Sequence, residues 1–327
     1  MPIARIAILG TGLIGSSVGM ALRQNGFSGN IFGWDRDASQ TATALSRGAI
    51  SIVAEEPLTA AEQSDLILLS GPVFSILEWL DQLAPILKPN QLVTDVGSVK
   101  RILCERSAGN YNQPDKPGFL PGHPMAGKEL GGAANADADL FRGAVWLFTE
   151  CAGSSGMSPE ASTKAAEWRE WVQKFGSRVL ELDAARHDEL CAWVSHLPQF
   201  VSTALSALLE DKFPDDQDLR AIGGRALREM TRLGASPYSM WRDIAHTNAE
   251  AVSATLLALE QRLTHLREHL KTPELRDEFP RGVNRSRSNR FWNRLAPLSH
   301  VRSPCTRPGG VPECLWHSTP LSANADH

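Results

Sequence analysis

The chain has 327 residues, 42% of them hydrophobic and 21% charged, the ordinary composition of a soluble protein long enough for a large core and two domains. Its formal net charge of −4 hides an asymmetry: residues 281–327 hold seven arginines against Glu313 and Asp326, which leaves the first 280 residues at −9 and argues against nucleic acid as a partner of the main fold. The longest apolar run, Leu66 to Leu80, is broken by Ser70, Gly71, Pro72 and Glu78, which excludes a membrane span there; Arg5 and a glycine-rich turn interrupt any export signal, so a cytoplasmic protein is expected.

In chain order, RIAILG predicts a strand, Leu13–Asn25 a helix, NIFGW a strand, Ala38–Arg47 a helix, DLILLS a strand, Val73–Leu83 a helix and QLVTDV a strand. Leu66 to Leu69 are apolar at consecutive positions, which suits strands covered on both faces, as in a parallel sheet between helices. The heptapeptide PGHPMAG, Pro121–Gly127, predicts a shaped loop that presents His123 at a fixed angle. GAVWLFT and SRVLELD predict further strands around an amphipathic helix that starts near Ser158.

After Asp183 the strand signals stop, and His187–Leu209, Leu219–Leu233 and Ser239–Leu270 carry helical spacing. Val252, Leu256, Leu259, Leu263, Leu266 and Leu270 recur at steps of four and three, a heptad seam that wants a facing helix, either within one subunit or across a two-fold dimer. The expected organisation is an α/β doubly wound sheet over residues 1–182, an all-α domain over 183–280, and a basic tail over 281–327. The tail holds five prolines and lacks apolar periodicity, so it reads as disordered. Five cysteines, at 104, 151, 191, 305 and 314, form no close pair, so buried thiols are expected rather than a disulfide framework or a metal site.

Gly10, Gly12 and Gly15 form GTGLIG directly after the first strand and at the mouth of the first helix. Gly10 suits a tight turn, Gly12 leaves room for a pyrophosphate, and Gly15 lets helix and strand pack closely, with Thr11, Leu13 and Ile14 lining the same turn. The helix N-terminus offers unpaired N–H groups to phosphates. Asp35 ends the second strand where a carboxylate accepts hydrogen bonds from the adenosine ribose, which favours NAD, while Arg36 leaves some room for NADP. The fold is therefore expected to be Rossmann-type. Ser70 and Pro72, Ser98, and His123 follow later strands and fall along the edge where a nicotinamide would lie.

ILGTGLIGSS, TDVGSVK, GHPMAG, VSHLPQ and EMTRLGASPYSMWRDI, in that order, resemble the prephenate dehydrogenase family of tyrosine biosynthesis from residue 3 to about 270. The resemblance implies NAD-dependent oxidative decarboxylation of prephenate to 4-hydroxyphenylpyruvate. It implies that His123 is the base or hydrogen-bond acceptor for the ring hydroxyl, with Ser98 orienting it. It further implies that His196 and Arg232 bind substrate, joined by Gln199 where many relatives carry a second histidine, and that the helical domain makes a homodimer. Arg242 and Asp243 suit a structural ion pair as well as a site. Arogenate or dual cyclohexadienyl specificity is the alternative, and a non-catalytic NAD-sensing protein a further one. A dehydrogenase of the 6-phosphogluconate type would want a lysine between Asp183 and His196, which this chain lacks.

Overall fold

The consecutive apolar residues of the predicted strands do form a sheet covered on both sides, and their alternation decides which face each side chain meets. Ile6, Ile8, Leu66 and Leu68 join one core cluster; Ala7, Leu9, Ile67 and Leu69 join the other. The structure is a computed structural model that describes residues 2–128, 130–151, 156–236, 238–276 and 278. The chain divides into two units, Met1–Pro280 and Arg281–His327. The expected basic tail lies outside the described residues.

The elements run β1 (Arg5–Leu9), α1 (Leu13–Gln24), β2 (Asn30–Trp34), α2 (Ala38–Ser46), β3 (Ile52–Val53), α3 (Pro57–Glu62), β4 (Leu66–Leu69), α4 (Val73–Leu83), β5 (Leu92–Asp95), α5 (Arg101–Ser107) and β6 (Gly118–Leu120). These six strands are parallel in the order β3-β2-β1-β4-β5-β6. The direction of progression reverses between β1 and β4, which opens a crevice at their carboxyl ends, where Gly10 and Ser70 follow the strands. Val18 and Leu22 of α1 pack on one face; Ile76, Leu77 and Leu80 of α4 pack on the other.

A second sheet comprises β7 (Gly122–Pro124), β8 (Val145–Phe148) and β9 (Arg178–Glu181), with α6 (Pro159–Lys174) between the last two. β7 is antiparallel to β8, and His123 pairs with Leu147. The heptapeptide expected to be a loop is therefore in part a strand. Three residues, the last of them a proline, give no periodicity to read, and Pro124 is tolerated because β7 lies at the edge of its sheet. Trp146 and Phe148 of β8 meet Trp168, Phe141 and Phe175 in a buried aromatic cluster that holds this sheet under α6.

The remaining described elements are helical: α7 (Ala184–Cys191), a π-turn over Ala192–His196, α8 (Leu197–Lys212), α9 (Gln217–Ile222), α10 (Arg225–Thr231), a 3-10 turn over Arg232–Ala235, α11 (Tyr238–Thr247) and α12 (Ala249–Glu268). The stretch expected to be continuous from Ser239 to Leu270 breaks at Asn248, whose side chain donates to the Asp188 carbonyl at 2.9 Å. Of the heptad seam only Val252 is buried in the single chain; Leu256, Leu263 and Leu270 are exposed. No described helix is long and apolar enough to cross a membrane.

The cysteine expectation needs correcting. Cys104 on α5 and Cys151 after β8 are bonded, their Cα atoms 5.1 Å apart across a separation of 47 residues. Packing of the first sheet against the segment that follows β8 brings them together, and linear spacing carries no sign of it. Cys191 is a free, buried thiol.

Candidate active site

Gly10 takes a φ of +107°, and a Cβ there would stand 2.4 Å from the Ser70 carbonyl oxygen, so the turn closes against β4 only with glycine. A Cβ on Gly15 would meet the Gly10 carbonyl oxygen at 2.0 Å, which sets how tightly α1 packs on β1. Gly12, the N-cap of α1, faces open space. Its helix has no side-chain cap and no acidic residue in the first turn, so the N–H groups of that turn are left to an anion. The Asp35 carboxylate closes the other side of the turn, accepting from the Thr11 N–H at 2.8 Å and the Asp37 N–H at 3.0 Å. Arg36 is exposed beside it. Ser70 Oγ, beside the crevice, is buried without a hydrogen-bond partner. An uncapped helix end, an open approach and an orphaned hydroxyl fit a dinucleotide.

A cavity of about 610 Å³ runs from this turn to the helical half. Leu13, Ile14, Ser70, Pro72, Ser98 and His123 line it from one side; Gln199, Arg232, Ser236 and Trp241 line it from the other. His123 and Arg232 both line this cavity, the first from β7 and the second from the turn after α10.

His123 is buried, and its Nδ1 lies 2.9 Å from Nε2 of His187. His187 Nδ1 lies 2.8 Å from Oδ1 of Asp188. That carboxylate also accepts the Lys100 and Arg101 backbone N–H groups at 2.7 and 3.0 Å, which caps α5. The network assigns the protons. Asp188 accepts throughout, so His187 donates from Nδ1 and accepts at Nε2; His123 then carries its proton on Nδ1 and keeps the lone pair of Nε2. Burial, reinforced by His187, Lys100 and His196, holds the His123 pKa well below the ordinary 6.5, so the ring is neutral at pH 7. Burial likewise lowers His187 against the pull of Asp188.

Beneath Ser98, the buried Lys100 ammonium donates to Asp95 Oδ2 and the Gly97 carbonyl, each at 2.7 Å. Asp95 also accepts from the Gly97 and Gly122 N–H groups, fastening the end of β5 to the Ser98 turn and to β7. Burial pushes the Asp95 carboxyl up, with Lys100 pulling the other way. Ser98 reaches the cavity wall, but no hydrogen bond joins its hydroxyl to His123 among the described residues; His187 holds that ring instead.

His196 differs from expectation as well. It is fully buried behind the cavity, with Nδ1 3.3 Å from Asn248 Nδ2, its ring edge-on to Trp241, and Nε2 without a partner. The π-turn points Val194 and Ser195 at the cavity in its place. Burial takes its pKa to about 4. Gln199 lines the cavity, yet its amide donates to the Leu233 carbonyl at 2.7 Å and accepts from Ser236 Oγ at 3.2 Å. It therefore pins the turn that carries Arg232 onto α8. Arg242 and Asp243 are a structural pair: Arg242 Nη2 lies 2.7 Å from Asp243 Oδ1, and Asp243 Oδ2 accepts the Phe74 N–H at the start of α4. Sequence reasoning did not assign His187, Asp188 and Lys100 to the site. An adjacent His-Asp pair on a buried helix face was the one signal available for the first two.

Comparison with known proteins follows this geometry. The nucleotide-binding domain of prephenate dehydrogenase matches residues 18–162, and the dimerization domain of prephenate dehydrogenase matches residues 183–284. A prephenate dehydrogenase of Lactococcus lactis subsp. cremoris is 31% identical over 265 residues, covering 81% of this chain and 70% of that one. The crystal structure of prephenate dehydrogenase from A. aeolicus with hydroxyphenyl propionate and NAD+ superposes with a TM-score of 0.75 at 27% identity, covering 88% of this chain and 98% of that one. Synechocystis arogenate dehydrogenase superposes with a TM-score of 0.67, also at 27% identity, over 90% of this chain and 100% of that one. With both halves matched and the cofactor turn built as described, the chain belongs to the prephenate dehydrogenase family of NAD-dependent oxidoreductases.

Proposed function

We propose that the chain oxidatively decarboxylates prephenate to 4-hydroxyphenylpyruvate, with residues 1–182 holding NAD and residues 183–280 closing the substrate cavity. The observation that carries this reading is the shared cavity, which a neutral His123, held by His187 through Nδ1, and Arg232 both line together with Leu13 and Ile14 of the cofactor turn's helix. NAD bound at Gly10–Gly15 and Asp35 supplies the acceptor for the hydride of the ring carbon that bears the hydroxyl. His123 Nε2 takes the hydroxyl proton as that hydride leaves. Loss of the ring carboxylate as CO2 makes the ring aromatic, and His123 returns the proton to the phenolic oxygen, so no net proton is released. Arg232 grips a substrate carboxylate, a task for which a guanidinium fork is suited. Ser98, on the wall beside His123, is placed to hydrogen-bond the same hydroxyl.

The test is direct. Purified protein with NAD and prephenate is expected to produce reduced nicotinamide, read by absorbance, faster than with arogenate or with NADP. NAD binding without turnover of either ring acid would leave a sensing protein and end this reading.

A homodimer through α12 belongs to the same proposal. The exposed Leu256, Leu263 and Leu270 form a seam that a second copy would cover. Light scattering on the eluting protein is expected to give twice the chain mass; a monomer mass at micromolar concentration removes this part.

A further inference from the structure

Three soft or borderline ligand atoms converge behind the proposed base. His187 and Cys191 lie four residues apart on one face of α7, and β7 lays His123 against them. His123 Nδ1 is 2.9 Å from His187 Nε2, while Cys191 Sγ is 3.8 Å from the first and 3.6 Å from the second. We propose that His123, His187 and Cys191 form an inhibitory binding site for a zinc-class divalent cation, which switches off the dehydrogenase by occupying Nδ1 of His123.

The distances support a tetrahedral ion. Bonds of about 2.0–2.1 Å to nitrogen and about 2.3 Å to sulfur place two ligand nitrogens about 3.3 Å apart and a nitrogen and a sulfur about 3.6 Å apart. The sulfur distances of 3.6 and 3.8 Å lie close to this geometry, and the histidine pair need open only by a few tenths of an ångström, which is what losing the shared proton allows. Asp188 stands behind His187 as the outer carboxylate that fixes the tautomer of a metal-bound imidazole. Asp95, 2.7 Å from Lys100, offsets part of that ammonium's opposition to a cation, and Asp188 behind His187 together with Cys191 bound as thiolate supplies the negative charge. Three protein ligands leave the fourth position to water.

The consequence for the base follows from proton accounting. Uptake releases the Cys191 proton, because a coordinating thiol is bound as thiolate. It also moves the single N–H proton of His123 from Nδ1 to Nε2 by exchange with solvent, a change of tautomer with no net release from that ring. The neutral, metal-bound His123 then carries that one proton on Nε2, which becomes a donor and has no lone pair for the substrate hydroxyl. The inhibitory half of this proposal rests on the function proposed above; the binding half does not.

The experiment therefore reads binding and activity separately on the full chain. Calorimetry with zinc is expected to show a site that Cys191→Ala weakens at least about tenfold, the scale on which metal sites respond to losses around the ion. Cobalt(II) is expected to give a thiolate charge-transfer band that Cys191→Ala abolishes. Zinc is expected to inhibit the wild-type enzyme, a chelator to reverse it, and Cys191→Ala to keep its metal-free turnover while losing the zinc sensitivity. Equal zinc affinity in the two proteins, or a cobalt spectrum without the thiolate band, overturns the site. Binding with the Cys191 band but without inhibition overturns the switch, and absence of turnover in chelated protein would count against the function and leave the metal site standing.

Discussion

His123→Asn is expected to lower kcat by about two to four orders of magnitude, the usual contribution of a positioned general base, while the affinity for NAD stays within about twofold. Asparagine keeps a polar group of similar reach against His187 but has no lone pair that can hold a proton at neutral pH. The glycine turn and Asp35 do not touch His123, which is why cofactor binding should survive. Stopped kinetics and a fluorescence titration of NAD measure the two quantities. A kcat near wild type would mean that another group takes the proton. The pH profile offers an independent reading in chelator-treated protein. Burial favours the uncharged imidazole, so the base remains competent as pH falls through 6.5, and the acid limb of kcat/KM is expected below that value.

Arg232→Ala is expected to raise KM for prephenate about 10- to 100-fold with kcat changed by less than about fivefold. A hydrogen bond to a charged partner contributes about 1.5–3 kcal/mol, and 1.4 kcal/mol corresponds to a factor of ten. The small effect on kcat follows from the role proposed for Arg232, which is to hold a substrate carboxylate while the transferred proton passes to His123. Arg232→Lys should recover only part of the affinity, since an ammonium keeps the charge but not the planar fork. Gln199 carries a related expectation in its hydrogen bonds to Leu233 and Ser236, because the Arg232 turn rests on them. An unchanged KM in Arg232→Ala would remove the carboxylate assignment.

How much of this was legible before any coordinates depended on how local each feature is. The glycine turn could be read whole, because a strand, a turn and a helix N-terminus are adjacent in the chain, and Gly10 and Gly15 meet their constraints within that unit or just beside it. The alternation of strands and helices was equally open, since covered strands need apolar residues on both faces. β6 and β7 were not visible: at three residues each, next to prolines or glycines, they owe their existence to neighbours rather than to their own periodicity. The disulfide escaped for a similar reason, its two cysteines being distant in sequence and near only through packing.

The site shows the same division. The family resemblance named His123, Ser98, Gln199 and Arg232 as site residues, and all four line one cavity. It named His196 as well, and the π-turn turns that side chain inward instead. A single added residue per turn rotates everything beyond it, an effect that spacing rules built on a regular helix do not contain. What holds His123 was also beyond spacing: the chain names a histidine at 187 and an aspartate at 188, but only α7 packed against β7 and α5 makes them a relay with a defined proton order.

By itself the sequence determined the alternation of strands and helices, the helical second half and the cofactor turn, because those follow from local patterns of polarity, glycine and charge. Tertiary structure alone decided which nitrogen of His123 is held by His187, that His196 is buried and which cysteine stands beside the histidine pair. Those depend on hydrogen bonds and contacts a few ångströms long between segments more than sixty residues apart, and no local pattern encodes the angle at which such segments meet.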